Sequence, residues 1–192
     1  MKRILVALFT LAAVQLCVAV ELETFTSKGN PRTFGVDFSI GRPKAWVTRN
    51  AMPPGAFAVF WQAPAGLVDH MTIVFPRTSS GQTEEVTKDD FRPIFENPQL
   101  EQMFGRALGS ARFLEKKLLA DYKYPAGYFD YSVKYKLPTG ETEVKVRNYL
   151  VYLGAVMVQV QFFLVQDGGT DRFQQFSETM TQVLESLQFP TR

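Results

Sequence analysis

From Gly127 to Gln166, apolar and polar residues alternate in three successive runs separated by two short breaks. The first run sets Phe129, Tyr131, Val133, Tyr135 and Leu137 against Tyr128, Asp130, Ser132, Lys134 and Lys136. The second sets Val144, Val146, Leu150 and Tyr152 against Glu143, Lys145, Arg147 and Tyr149. The third sets Val156, Val158, Val160, Phe162 and Leu164 against Ala155, Met157, Gln159, Gln161 and Phe163. Successive side chains of a strand point to opposite faces, so a period of two predicts strands with one face in a core and the other wetter. Pro138-Thr139-Gly140-Glu141 carries turn chemistry, and Gly154 can supply the positive φ of a tight reversal. An antiparallel meander follows.

Upstream, Thr33 to Ile40 reads as a strand with Phe34, Val36, Phe38 and Ile40 on one side, ended by Gly41-Arg42-Pro43. Lys44 to Val47 is a short extended piece before a turn-rich linker through Asn50 and Pro53-Pro54-Gly55. Ala56 to Gln62 is almost continuously apolar, which predicts a strand buried on both faces. Val68 to Phe75 is a third strand, with Met71, Ile73 and Phe75 together. After a loop from Pro76 to Gln82 the period changes. Thr87-Lys88-Asp89-Asp90 matches a capping box, and Phe91, Ile94 and Phe95 continue at helical spacing. Asn97-Pro98 interrupts, suiting the cap and first turn of a new helix whose stripe is Leu100, Met103, Phe104, Ala107 and Leu108, stopping at Gly109.

Ser110 to Tyr124 carries charges that would suit a helix, but its apolar positions do not separate into a stripe, and we read it as an extended strand leading into the meander. After the meander, Gly168-Gly169 breaks the sheet and Thr170 can cap a closing helix. Phe173, Phe176, Met180, Val183, Leu184 and Leu187 then form an amphipathic stripe to lie on the sheet. The expected architecture is α+β: a single antiparallel sheet of about six or seven strands packed by helices, in the order β-β-β-α-β-β-β-β-α.

The first twenty residues change the picture of where this domain works. Met1-Lys2-Arg3 precedes an apolar run from Ile4 to Val14, and Cys17-Val18-Ala19 offers small residues for a peptidase, the pattern of a secretory signal. Gln15 makes the run too short for a membrane anchor, and Leu16 before Cys17 does not suit lipoprotein processing. Cleavage after Ala19 removes the one cysteine and two of 21 basic residues, leaving 19 against 19 acidic ones. The mature chain would then carry no net charge and no thiol. A nucleic-acid partner, which needs a basic face, is not expected. Residues 20–32 are expected to be a loose polar leader and residues 33–190 a single domain.

Little of this chain points to a reaction. His70, the one histidine, sits beside Asp69 on a strand face opposite Met71 and Ile73. One histidine cannot by itself build the usual zinc set, and a general base needs a partner, so a surface or hydrogen-bonded strand residue is the plainer reading. Glu84-Glu85 and Asp89-Asp90 lack the alternate oxygen spacing of a calcium loop, and acids at a helix start are explained by its dipole. No nucleophile elbow or phosphate loop is present, and Ser79-Ser80-Gly81 is loop chemistry. We expect no catalytic, cofactor or metal residues. Trp46, Trp61, Tyr122, Tyr124 and Tyr128 fall at or near strand ends, where they either pack in the core or line a contact surface or an apolar pocket. The expected contact surface is the wetter face of the meander, with Tyr149, Met157 and Phe163 among Lys145, Arg147 and Gln159.

In Phe38-Ser39-Ile40-Gly41-Arg42-Pro43-Lys44-Ala45-Trp46, in the run NYLVYLGAVMVQVQFF from Asn148, and in the helix end from Val183 to Phe189, the chain resembles the PsbP-like superfamily. That fold is shared by PsbP of the photosystem, the Ran-binding Mog protein and periplasmic proteins such as DcrB. The resemblance is one of elements and covers most of the mature chain. It implies an α+β domain that acts by binding other proteins and brings no catalytic positions with it. The expectation is an exported, non-enzymatic interaction module of the periplasm or envelope, with another envelope protein as partner. The alternative is a carrier for a lipid or other hydrophobic ligand. After cleavage no stable membrane anchor is expected.

Overall fold

The three alternating runs form the longest strands of the molecule, and their register decides which side chains share a face. The computed structural model describes residues 20–30, 33, 37–49, 56–62, 68–76, 84–109, 111–138, 140–166 and 171–189. The meander comprises β7 (Ala126–Leu137), β8 (Gly140–Leu153) and β9 (Val156–Val165), preceded by β6 (Arg112–Leu118). Gly154, at φ 62°, makes the reversal into β9. Upstream lie β1 (Leu22–Thr26), β2 (Ser39–Pro43), β3 (Val47–Thr48), β4 (Ala56–Trp61) and β5 (His70–Val74). Helices α1 (Lys88–Glu96) and α2 (Pro98–Ala107) come before β6, and α3 (Arg172–Glu185) closes the fold. The main sheet has seven antiparallel strands in the order β3-β4-β5-β9-β8-β7-β6, with β1 and β2 forming a separate pair. This is the expected α+β architecture, with the segment from Ser110 containing a strand.

The expectation of one wetter face does not hold. Tyr128 pairs with Tyr149, and Leu150 with Gln159, so odd positions of β8 share a face with even positions of β7 and β9. On one face Tyr149, Val151, Val158, Val160 and Phe162 pack beneath Phe173, Met180, Val183 and Leu184 of α3. On the other, Phe129, Tyr131, Val146 and Leu150 pack beneath Phe91, Phe95 and Phe104 of α1 and α2. The sheet is therefore buried on both sides, and polarity survives mainly toward the β7–β8 turn, where Lys134, Tyr135 and Lys136 are exposed.

Local signals explain the helices. The Thr87 hydroxyl accepts from the Asp90 N–H and the Asp90 carboxylate accepts from the Thr87 N–H, the reciprocal pair of a capping box. Asn97 closes α1 and opens α2, its side chain accepting from the Gln99 N–H at 2.9 Å with Pro98 in the first turn. The stripe is narrower than expected, because contact with Phe129 is made by Phe95 and Phe104 at 4.8 and 5.5 Å between ring centroids. Ile94 and Met103 are left 37% and 53% exposed. For α3 the cap is Asp171, accepting from the Gln174 N–H at 3.2 Å; Thr170 lies outside the described residues.

The N-terminal expectations need two corrections. Residues 22–26, within the segment read as a loose leader, form β1 and pair with β2 along its length. Gly41-Arg42-Pro43, read as a strand end, lies inside β2, while Phe34 and Val36 fall outside the described residues. β2 is held on its other side by the chain after α3: Ser39 and Gln188 exchange both backbone hydrogen bonds at 2.8 Å, and the Gly41 N–H donates to the Ser186 hydroxyl at 2.6 Å. Hydrophobicity alone gave no sign of β1, because its ordering comes from β2, a partner that is itself held by the last residues of the domain.

Gly127 lets α1 approach the sheet. A Cβ there would lie 2.5 Å from the Phe95 ring. We expect Gly127→Ala to destabilise the domain by about 1–3 kcal/mol through overpacking, and Phe95→Leu in the same chain to return part of that loss. Urea titration of the two single variants and the double variant measures the coupling; simple additivity would contradict the proposed contact.

Candidate functional site

Three places in the fold gather unusual chemistry. The first surrounds His70. Its imidazole stands between Trp61 and Phe163, with ring centroids 4.6 and 4.4 Å away and interplanar angles of 14° and 5°. The register puts these three side chains in one row, since His70 pairs with Trp61 on β4 and with Phe163 on β9. The Arg49 guanidinium covers Trp61 at 4.0 Å. Nδ1 of His70 lies 3.0 Å from the Val68 carbonyl, which fixes it as the protonated nitrogen of the neutral ring. Burial holds the imidazole pKa below its usual value, against the Val68 carbonyl and Asp69, which favour the charged form. The Asp69 carboxylate accepts from the Val165 N–H and from Arg172.

The second place is the start of α3. Asp171, Arg172 and Phe173 each meet a different part of the sheet. Lys145 of β8 donates to Asp171 at 3.0 Å. Arg172 donates to the buried Asp69 at 2.5 Å, and Asp69 also accepts from the Val165 N–H at 2.9 Å. The Phe173 ring lies 5.0 Å from the Arg147 guanidinium. Arg147 forms a two-bonded pair with Asp130, at 2.8 and 2.7 Å, and its guanidinium lies 4.1 Å from the Tyr128 ring. Both members are buried, the side chains 9% and 4% exposed. Burial pushes the Asp130 carboxyl above the usual range while the arginine opposes it. For Arg147, burial works against the charge, but the bonds and charge of Asp130 together with Tyr149 outweigh it and hold the pKa above its usual value. Burial likewise pushes the Tyr128 hydroxyl up to about 12. Sequence reasoning treated Arg147 as a surface charge and Asp130 as a wet-face residue. Their direct opposition across β7 and β8 was the available signal.

The third place is the sheet edge at β6 and the flank of α2 beside it. Phe113 and Leu114 are 37% and 38% exposed, and Met103 on α2 is 53% exposed. Phe113 touches Tyr131 edge-on at 5.8 Å, and the Tyr131 hydroxyl donates to the Glu101 carbonyl of α2 at 3.0 Å, which joins strand edge and helix into one surface. Lys116 of β6 meets Glu101 at 3.6 Å. Among the described residues no strand pairs with the outer side of β6.

The surface expected on the meander is not one surface. Tyr149, Lys145 and Arg147 face α3, whereas Met157, Gln159 and Phe163 lie on the opposite side, because β8 and β9 pair odd with even positions. Tyr149 and Arg147 are buried. The aromatic residues near strand ends are packing residues: Trp46 stacks on Phe176 of α3 at 5.4 Å, and Tyr124 meets Tyr122 and Phe189 edge-on. The Tyr122 hydroxyl donates to the Leu184 carbonyl at 2.6 Å, and burial raises its pKa. Asp89 and Asp90 belong to the capped first turn of α1, where the bonds with Thr87 hold the Asp90 carboxyl below its usual pKa. Glu84 and Glu85 are exposed, and among the described residues no three His, Cys, Asp or Glu side chains gather as a metal site. No described helix is long and apolar enough to cross a membrane.

No protein-family model matches the chain, and no curated protein matches it. Solved structures do. The fold is similar to that of cyanobacterial PsbP from Synechocystis, in solution, at 9% identity and a TM-score of 0.47 over 88% of this chain and 93% of that one. It is also similar to a Bacteroides thetaiotaomicron protein at 15% identity and a TM-score of 0.45, over 81% of this chain. The match spans about half, 46%, of that longer protein. A Pseudomonas aeruginosa protein of unknown function, PA94, matches at 9% identity and a TM-score of 0.42, over 90% of this chain and 99% of that one. At these identities and scores none of the three carries a function to this chain.

The lowered pKa of His70 has a sign that can be tested. The folded chain binds the proton less readily than the unfolded chain, so this contribution is complete above about pH 6.5 and is lost as pH falls through that unfolded value toward the folded one. We expect urea midpoints to drop between pH 7.5 and pH 5. In His70→Phe, which keeps a stacked ring, that slope flattens. A variant with the wild-type slope would show that His70 does not titrate in this window.

Proposed function

We propose that the protein is an exported, non-enzymatic protein-interaction module of the periplasm or cell envelope, and that it meets its partner on the flank of α2 and β6. The observation that carries this reading is the exposure of Met103, Phe113 and Leu114 at a sheet edge whose outer side pairs with no described strand. Apolar side chains gathered on one surface mark a place that another molecule covers. Among the other described aromatic residues only Tyr135 is exposed: Phe129 packs on Phe95 and Phe104, and Trp46 lies beneath α3. That filling favours a contact module over a carrier, which needs an apolar cavity of roughly 300–1,000 Å3. A histidine stacked between two rings with Nδ1 turned to a backbone carbonyl supports the non-enzymatic part of the reading. The charged start, apolar run and small-residue end of the first 19 residues support export.

Two outcomes follow. Intact mass measurement of the protein recovered from the envelope should give a chain beginning at Val20; a full-length mass would contradict cleavage. Wild-type protein immobilised in envelope extract should retain a partner that also binds when both are purified. Met103→Lys with Leu114→Ser should weaken that binding by at least about tenfold while the chain still unfolds in one cooperative transition. A variant that binds as well as wild type, or native mass spectrometry showing a stoichiometric lipid on the wild type, would overturn the reading.

A further inference from the structure

We propose that β6 pairs antiparallel with β6 of a second copy of the chain, in a register centred on Lys116, joining the two seven-stranded sheets across a twofold axis. The inference rests on the reading of the β6 flank as a contact surface, and assigns the open backbone edge of that flank to a second copy while leaving its apolar α2 side to the other partner. Three observations lead to it: which backbone groups of β6 are turned outward, which charges flank them, and how those charges are ordered.

The Leu119 N–H donates to the Ala126 carbonyl at 2.9 Å, so this pair is a hydrogen-bonded one of the β6–β7 ladder. Antiparallel pairs alternate between bonded and non-bonded. The register then turns the backbone groups of Lys117 and Glu115 toward Tyr128 and Asp130, and those of Lys116 and Leu118 away from the sheet. The irregularity between Phe113 and Glu115 ends the regular edge at Leu114. What is left for a new strand is a short segment whose outward groups are those of Lys116 and Leu118.

A twofold axis normal to the sheet keeps each face on its own side, so paired positions must share a face. Three such centres fall on charged residues. An axis at Glu115 sets Glu115 against Glu115 of the second copy, and an axis at Lys117 sets lysine against lysine. An axis at Lys116 sets Glu115 against Lys117, twice, on the face that carries Asp130 and Tyr128 in β7. Opposite charges directly across an antiparallel pair stabilise it and like charges oppose it. The lysines that meet on the axis are already engaged at home, since Lys116 reaches Glu101 at 3.6 Å and the Glu96 carbonyl at 3.5 Å. Glu115 and Lys117 are both exposed, and Lys117 has no ion-pair partner among the described residues. The order Glu-Lys-Lys is thus self-complementary in one register. In that arrangement the α2 flanks of both copies lie on the same side of the joined sheet, which places Met103 and Phe113 twice on one surface for a further partner.

Sedimentation equilibrium of the mature chain across a concentration series tests this. Wild type should show a monomer–dimer equilibrium. Glu115→Lys and Lys117→Glu should each weaken the dimer by at least about tenfold, because each sets like charges opposite one another twice. The double variant should return to within about threefold of wild type. An equimolar mixture of the two single variants should form a mixed dimer, since both contacts between positions 115 and 117 then pair opposite charges. A chain that stays monomeric throughout, or a dimer indifferent to both single reversals, overturns the proposal. Either result leaves the capture experiment with Met103→Lys and Leu114→Ser to be judged on its own, because that experiment reads a different protein on a different set of side chains.

Discussion

The register of β7, β8 and β9 is the constraint on which the remaining structure depends. Side chains alternate along a strand, so slipping one of these strands by a single residue would exchange everything on its two faces. Here both faces are buried, and the exchange would be costly on each. Phe129 and Leu150 would leave α1 and α2, and Tyr149 and Val151 would leave α3. Covering a sheet on both sides therefore does more than bury area: it fixes the pairing from two directions. It also explains Gly127, the position in β7 at which a helix aromatic ring comes close enough to exclude a side chain.

The same two-sided burial accounts for the charged group inside. Asp130 and Arg147 sit opposite each other in the middle of the meander on the face that α3 covers, so neither can reach bulk water. A buried pair of this kind is stabilising only when the partners satisfy each other, and the loss of one strands the other at a cost of roughly 3–5 kcal/mol. The two-bonded geometry, with the Tyr128 and Phe173 rings against the guanidinium, meets that condition. The pair also has a positional consequence. Phe173 lies against Arg147 while Asp171 and Arg172 are ion-paired to Lys145 and Asp69, so α3 can start at one place on the sheet only. The dry stripe of α3 supplies the adhesion, and these three contacts supply the alignment.

Legibility in the sequence follows how local each cause is. Thr87 with Asp90, and Asn97 with Pro98, act within four residues, and they marked the helix starts that the structure shows. The period-two runs gave the meander for the same reason. The order of Leu22 to Thr26 depends on β2, which in turn is held by Ser186 and Gln188, more than 140 residues away, and no local pattern reports that. The assignment of the wet face failed for a related reason. Each run was correctly divided into two sides, but which side of one strand adjoins which side of the next is a matter of register, and Tyr149 and Phe163 came out on opposite faces. His70 shows the limit for a site. Its strand and neighbour were readable, but its stacking between Trp61 and Phe163 is made by pairing across three strands.

An open sheet edge is a hazard as well as an opportunity, and β6 carries the features that limit the hazard. Charged residues and a bulge along an edge discourage indiscriminate strand addition, and Arg112, Glu115, Lys116 and Lys117 with the irregularity at Leu114 provide both. Those features do not close the edge to every partner. They raise the cost of a strand whose charges do not match, and lower it for one whose charges alternate in the complementary sense. Specificity of this kind comes from what is rejected as much as from what is accepted. A second β6, reversed about Lys116, sets Glu115 against Lys117 twice at the expense of one Lys116 pair already engaged by Glu101, whereas registers centred on Glu115 or Lys117 set like charges on the axis with no such pair of opposite charges beside them. The device that guards the edge against aggregation is thereby also the device that selects its partner.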